Sequence, residues 1–318
     1  MRLLLEYKDI PPELHGGVVV LGNFDGVHRG HQTVIGRGRE IADGLKIPLV
    51  VVTFEPHPRS HFRPHDPPFR LTPLPNKARQ IEALGVDALV MLTFDDALAR
   101  IEAVDFVHNV LIAGLGARHV VVGMDFRFGR QRGGDAALLE AEGAANGFAV
   151  TTIAAVASAD AEIYSSSHIR ENIMAGKPAQ AAAMLGRPFE IEGVVEHGEK
   201  RGRELGFPTA NIDIGGYVHP ALGVYAVRAS IEPGGEPEWL DGVAYFGDRP
   251  TVDGEGLLLE VNLFDFDGDL YGRTMRVALI EYLRGDHKFD SLDALKAQIA
   301  EDDVTARRIL RVRAAGAP

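Results

Sequence analysis

Residues 18–32 read VVVLGNFDGVHRGHQ: four apolar residues, then a turn with glycines at 22, 26 and 30 and histidines at 28 and 31. The apolar run reads as a strand, and the turn lies where that strand should become a helix. Three readings compete for two imidazoles and three glycines in such a place. They are a metal site, a cradle for phosphate, and an ordinary polar turn.

Outward from this turn the rhythm repeats. Apolar runs at 18–22, 48–54, 87–94, 118–123 and 148–154 alternate with helix-like stretches at about 31–44, 76–84, 96–113 and 135–146. The runs are continuously apolar, as in strands buried on both faces. This βαβ alternation predicts an α/β domain with a parallel sheet and right-handed crossovers. Ligands of such folds bind outside the carboxyl ends of the strands, which is where the 22–32 turn falls.

Residues 165–186 read as a helical connector, with Ser165, Ser166 and Ser167 as capping hydroxyls, Gly176 and Gly186 as stops and Pro178 in a first turn. After Pro188 the rhythm changes to short strands at about 188–197, 209–214, 223–231, 239–247, 257–266 and 273–283. Six strands without intervening helices predict an antiparallel β-barrel, followed by a C-terminal helical segment capped by Ser291. The expected domains are 1–186, connector included, and 187–318.

A length of 318 residues suits two domains, and a hydrophobic fraction of 46% argues against disorder. The formal charge of −12 argues against a nucleic-acid surface but leaves room for small polyanions held by local donors. The absence of cysteine excludes disulfides, thiolate zinc sites and cysteine nucleophiles. The start turns acidic by Glu6, too early for a secretory signal, and no apolar run approaches the ~18 residues of a membrane span. The expectation is a soluble, cytoplasmic protein with small-molecule partners and neither a nucleic-acid nor a membrane partner. Oligomeric state has no reading in the sequence.

For metal, His28 and His31 lack the third and fourth ligands that zinc needs. His57, His61 and His65 have the spacing of one helical face, but Pro56, Pro58, Pro64, Pro67 and Pro68 forbid that helix, so the 55–65 segment reads as a proline-stiffened loop. For phosphate, glycines admit backbone N–H groups, a helix N-terminus faces the anion, and imidazoles can stabilise its charge. The run Ser165 to Arg170 adds hydroxyls, a second helix N-terminus and a guanidinium. By itself that run is also an ordinary helix cap.

His28-Arg29-Gly30-His31 resembles the HxGH signature of the nucleotidylyltransferase superfamily, and SSSHIR (165–170) resembles its second motif. With TFEPHP (53–58) and VGMDFRFGRQRGGD (122–135), the chain is similar to the bifunctional riboflavin kinase/FMN adenylyltransferase family. The resemblance implies a Rossmann-like first domain in which the FMN phosphate attacks the α-phosphorus of ATP and pyrophosphate leaves. It implies that His28 and His31 polarise the ATP phosphates and that Gly22 and Asn23 lie on the nucleotide. Ser166, Ser167 and Arg170 would bind the phosphates, and Phe54, Phe62 and Phe128 would cover an isoalloxazine ring with Asp125 at its polar edge. For each of those phenylalanines, core packing is the competing explanation.

In the second half, HGEKRGRELGFPTANI (197–212) offers Gly198, Gly202 and Gly206 for backbone approach, Lys200 or Arg203 for charge, and the hard oxygen donors Thr209 and Asn211 two positions apart. The competing reading is a solvated hairpin loop. Glu260 is a lone carboxylate in an apolar strand, which needs a partner or a task. Both segments resemble the riboflavin kinase domain of the same family. That implies Thr209 and Asn211 on Mg²⁺ and the ATP phosphates, and Glu260 as general base for the ribityl hydroxyl. The sequence departs from the family at Tyr245, where asparagine is expected, at Asp286, where glutamate is expected, and at Ser167 and His168. The expected function is riboflavin to FMN, then FMN to FAD, with ATP and Mg²⁺. The alternatives are adenylyl transfer alone over a weakened, flavin-binding barrel, which Tyr245 would favour, and a non-catalytic flavin-binding protein.

Overall fold

The computed structural model describes residues 1–8, 10–157, 163–196, 209–231, 238–251 and 254–315. They fall into two compact units, Met1–Pro67 with Thr72–Ser166, and Pro68–Leu71 with Ser167–Pro318. The division falls at Ser166, inside the stretch read from sequence as a connector.

The first unit holds a six-stranded, wholly parallel sheet in the order β1-β4-β3-β2-β5-β6. The strands are β1 (Arg2–Leu4), β2 (Val18–Leu21), β3 (Leu49–Glu55), β4 (Ala88–Thr93), β5 (His119–Gly123) and β6 (Ala149–Ile153). The five expected strands are present, and β1 is an addition too short to carry a periodic signal. Val18, Val19 and Val20 are fully buried, their side chains divided between the cores on the two faces of the sheet. That division accounts for the unbroken apolar run. Because β3 and β5 flank β2, strand order reverses at β2, and the crevice beyond its carboxyl end is the ligand position such sheets favour.

Helix α1 (Arg29–Leu45) follows the turn, and α2 (Pro58–Phe62) is a single turn with Pro58 in its first position and His57 as cap. The prolines therefore permit one turn, ended before Pro64, where the sequence reading had only loop. Helix α3 spans Leu74–Glu82. The expected helix at 96–113 is broken into α4 (Asp96–Arg100), α5 (Ala103–Phe106) and a π-helical stretch at Val107–Gly114. Ile101 is extended at the break, and its carbonyl accepts the Arg130 N–H at 2.7 Å, a tertiary bond invisible to local pattern. Asp135 caps α6 (Ala136–Asn146), which Gly147 ends with a φ of +82°.

The second unit begins with α7 (Ser166–Met174, its first residue shared with the first unit) and α8 (Pro178–Leu185). Six antiparallel strands then form a closed barrel in the order β10-β11-β8-β7-β12-β9. They are β7 (Phe189–Glu196), β8 (Ala210–Asp213), β9 (Gly223–Ile231), β10 (Leu240–Thr251), β11 (Gly254–Leu263) and β12 (Thr274–Arg284). Side chains such as Tyr225, Phe246, Leu259 and Leu279 are almost wholly buried, each contributing about 1.5–3 kcal/mol through burial. Helix α9 (Leu292–Ala315), capped by the Ser291 hydroxyl on Ala294 N–H, packs on the outer face of β9, β10 and β12.

Candidate active sites

His28 ends the turn after β2 and caps α1: its Nδ1 accepts the His31 N–H at 3.3 Å. Since Nδ1 is the acceptor, the proton of the His28 ring in its neutral form sits on Nε2, which makes that nitrogen a donor. The His31 ring stacks on His28, with centroids 3.6 Å apart and planes 20° apart, and Phe24 meets His31 edge-on at 5.2 Å. Burial, then the neighbouring His28 and then Lys77, hold the His31 imidazole well below its usual value, so it is neutral at pH 7. Its Nδ1 is buried without a hydrogen-bond partner among the described residues.

The glycines have local reasons beyond admitting an anion. A Cβ on Gly22 would lie 2.7 Å from the Phe24 ring, and one on Gly30 would lie 3.1 Å from the His28 ring. Gly26 has a φ of +91°, in a turn where Phe24 and Val27 are also left-handed. The turn is tied down by Asp25, Thr72 and Ser166, of which motif reading singled out only Ser166. Asp25, 1% exposed, accepts the Thr72 N–H, Gly26 N–H donates to the Thr72 hydroxyl, and Ser166 Oγ donates to the Asp25 carbonyl at 2.8 Å. Fully buried Lys77 donates to Glu55 Oε1 at 2.9 Å and to Thr53 Oγ1 at 3.2 Å. Thr53 Oγ1 in turn donates to the Asn23 carbonyl at 3.1 Å.

Gly22, Asn23, His28, His31 and Ser166 thus belong to the first unit, where Ser166 reaches the histidine turn directly. Ser167 and Arg170 belong to the second unit; there Arg170 Nε donates to the Phe69 carbonyl at 2.7 Å, and its guanidinium lies over the Phe69 ring. Of the residues expected at a flavin, Phe54 and Phe128 are core residues packed on Phe106, whereas Phe62 is 64% exposed and Asp125 is exposed. Phe62 meets His61 and Phe94 edge-on, at 5.2 and 5.7 Å.

In the barrel, β-sheet register brings the kinase candidates into one row. Asn211 on β8 pairs with Glu260 on β11, and Glu260 pairs with Tyr245 on β10. On the other side Asn211 pairs with Glu196 of β7. The row continues from Tyr245 through Val224 of β9 to Arg284 of β12, whose guanidinium grips both oxygens of Asp302. Glu260 does not enter the barrel core; its neighbours Leu259 and Val261 do, and Glu260 stands half-buried on the outer face. Asn211 is 7% exposed and Thr209 lies two residues before it. The Tyr245 ring packs against the cluster under α9 and covers Gly247, where a Cβ would collide with the tyrosine hydroxyl. Gly198 and Gly202, with Lys200, Arg203 and Gly206, lie outside the described residues. A cleft of about 820 Å³ in this unit, lined by Trp239, Phe264 and Arg307, contains none of the expected kinase residues.

Residues 10–167 match the family model described as FAD synthetase, and residues 185–310 match that described as riboflavin kinase. The bifunctional riboflavin kinase/FMN adenylyltransferase of Pseudomonas fluorescens is 42% identical over 97% of this chain and 98% of its own. That of Escherichia coli K12 is 42% identical over 92% of each chain, and that of Bacillus subtilis 38% over 94% of each. A solved structure named as a macrolide-efflux protein from Streptococcus pneumoniae is similar with a TM-score of 0.84 and 33% identity, over 96% of this chain and 98% of that one. Among the described residues of the present chain, no helix is long and apolar enough to cross a membrane.

Proposed function

The chain belongs to the bifunctional riboflavin kinase/FMN adenylyltransferase family, and we propose that the histidine turn of the first unit carries its adenylyl transfer and the Glu260 row of the barrel its kinase. The enzyme phosphorylates riboflavin to FMN with ATP, then adenylylates FMN to FAD with release of pyrophosphate.

For adenylyl transfer the supporting observation is a pair of stacked imidazoles, one of them held neutral, at a helix N-terminus beyond the central strand. The FMN phosphate is already ionised, so it needs no base. Its oxygen forms a bond to the α-phosphorus as the bond to the β-phosphate oxygen breaks. What remains is alignment and stabilisation of charge on the phosphate oxygens. His28 Nε2–H and His31 are the donors for that task, with Gly22 and Asn23 along the nucleotide and Ser166 holding the turn. Ser167 and Arg170 are carried as phosphate ligands on the motif alone. Phe62 and Asp125, both exposed, suit contact with the flavin. The burial of Phe54 and Phe128 assigns them first to packing.

For the kinase, a hydroxyl attacks the γ-phosphorus as the bond from that phosphorus to the β-phosphate oxygen breaks and ADP leaves, and the hydroxyl must lose its proton, which Glu260 accepts. Thr209 and Asn211 offer a hydroxyl and an amide oxygen, and Glu196 and Glu260 flank Asn211. This all-oxygen set, with no group of three acidic or histidine ligands among the described residues, fits Mg²⁺ that takes its remaining ligands from phosphates and water. When bound, the ion would neutralise charge on the transferring phosphates. A cytoplasmic setting fits both substrates.

The test is a time course of the full chain with riboflavin, Mg²⁺ and ATP, resolving FMN from FAD. FMN should rise first and FAD follow, and His31→Ala should stop the sequence at FMN. FAD formation unimpaired in that variant would remove the histidine assignment.

A further inference from the structure

Lys77 carries a charge that neither reaction uses and that packing alone does not require. It is fully buried on α3, and its ammonium is bound to Glu55 Oε1 and Thr53 Oγ1 at the carboxyl end of β3. Burying an ammonium is costly, and a well-packed apolar side chain commonly serves stability as well or better. A buried pair kept beside a ligand crevice therefore invites a reason beyond stability.

The hydrogen-bond directions supply one. The ammonium can only donate, so Thr53 Oγ1 accepts from it and spends its own proton on the Asn23 carbonyl. That carbonyl is drawn toward β3, and because the peptide is planar and trans, the Phe24 N–H of the same unit faces the opposite way. The turn from Gly22 to His28 is thus oriented at its Asn23–Phe24 peptide by a residue more than fifty positions away. Lys77 also acts on His31: after burial, the main cause, and the neighbouring His28, it too disfavours protonation of that imidazole.

We propose that Lys77 is a positioning residue of the adenylyl-transfer site, orienting the Gly22–His28 turn through Thr53. The proposal rests on the reading of the histidines as phosphate donors. Lys77 touches no reacting atom. It keeps the turn in one orientation and adds to the burial that disfavours protonation of His31.

The experiment uses the full chain with Lys77→Met, and with Lys77→Met combined with Glu55→Gln so that no unpaired charge stays buried. Adenylylation of supplied FMN, phosphorylation of riboflavin, and the titration of His31 by NMR of ¹⁵N-histidine-labelled protein are measured together. In the double variant kcat for adenylylation should fall about tenfold or more, the order expected of misalignment, with KM for ATP within about threefold. His31 should titrate at higher pH, and kinase turnover should be unchanged. Lys77→Arg, which keeps the cation, should restore the titration. A purely structural ion pair would give the double variant wild-type adenylylation and an unmoved His31, and that result overturns the proposal. If Lys77→Met does not fold, the double variant carries the test. His31→Ala measured alongside separates the two readings. Normal adenylylation there removes the histidine reading, whereas a fall there with an unaffected double variant removes only the role of Lys77.

Discussion

Tyr245 of β10 stands directly opposite Glu260 of β11, its ring laid along its own strand over Gly247. Opposed residues on one face of a sheet have Cβ atoms about 4.5–5.5 Å apart, so Tyr245 adjoins the proposed base. The asparagine that the resemblance leads one to expect here is small and carries a donor and an acceptor, whereas the tyrosine keeps its hydroxyl farther out. Tyr245→Asn should leave riboflavin phosphorylation level or faster. It should also cost about 1–3 kcal/mol of stability, because the space over Gly247 is emptied. Steady-state kinetics and urea unfolding read the two effects separately. A large loss of FMN synthesis in the folded variant would give the tyrosine an adapted role of its own.

Glu260→Gln keeps size and removes the base. FMN formation should fall by about 10²–10⁴-fold, the usual contribution of a positioned base. Conversion of supplied FMN to FAD should hardly change, since Glu260 and the histidine turn belong to different units. Joint collapse of both activities in a folded variant would contradict the assignment of one chemistry to each unit.

His31→Ala should lower adenylyl transfer by ~10²-fold or more, the order for a lost donor at developing charge, and spare the kinase. Elemental analysis gives an independent check. Stoichiometric zinc in the wild type that disappears in this variant would return the histidines to the metal reading.

Stability should report the His31 environment as well. Burial first, then His28 and Lys77, lowers this imidazole from 6.5 in the folded chain. As pH falls, the unfolded chain binds the proton before the folded one. The contribution to stability is therefore complete above about pH 6.5 and is lost as pH drops toward the folded-state value. His119, lowered mainly by burial and then by Arg37, acts in the same direction. Comparison of wild type with His31→Asn isolates the first term: the melting temperature of the variant should depend less on pH below 6.5. Parallel curves for the two proteins would count against it.

Much of this was legible in residue order. Continuous apolar runs gave the parallel sheet because both faces are covered, and runs without helices between them gave the barrel. The histidine turn could be read because strand, glycine and helix stand side by side in the chain. The buried supports could not. Lys77 looks like any surface lysine on a short helix, and Thr53 and Glu55 look like strand residues; only folding brings them under Asn23. Glycine was misleading in another way. At Gly22 the lost side chain makes room for Phe24 two residues on, an effect no motif expresses. Glu260 looked like a charge set into a core, whereas pleating turns it outward while Leu259 and Val261 fill the barrel.

The row Glu196, Asn211, Glu260, Tyr245, Val224, Arg284 crosses all six strands of a closed ring. Within β11 side chains alternate between inside and outside, so losing or gaining one residue there would turn Glu260 into the interior and Leu259 or Val261 out. Two residues would preserve facing and shift only height along the ring. Length variation inside β11 should therefore survive in even steps, whereas β12 already absorbs single-residue offsets against β9 between Leu279 and Glu281 and between Tyr282 and Arg284. For anyone redesigning the barrel, parity is the constraint to respect before residue identity.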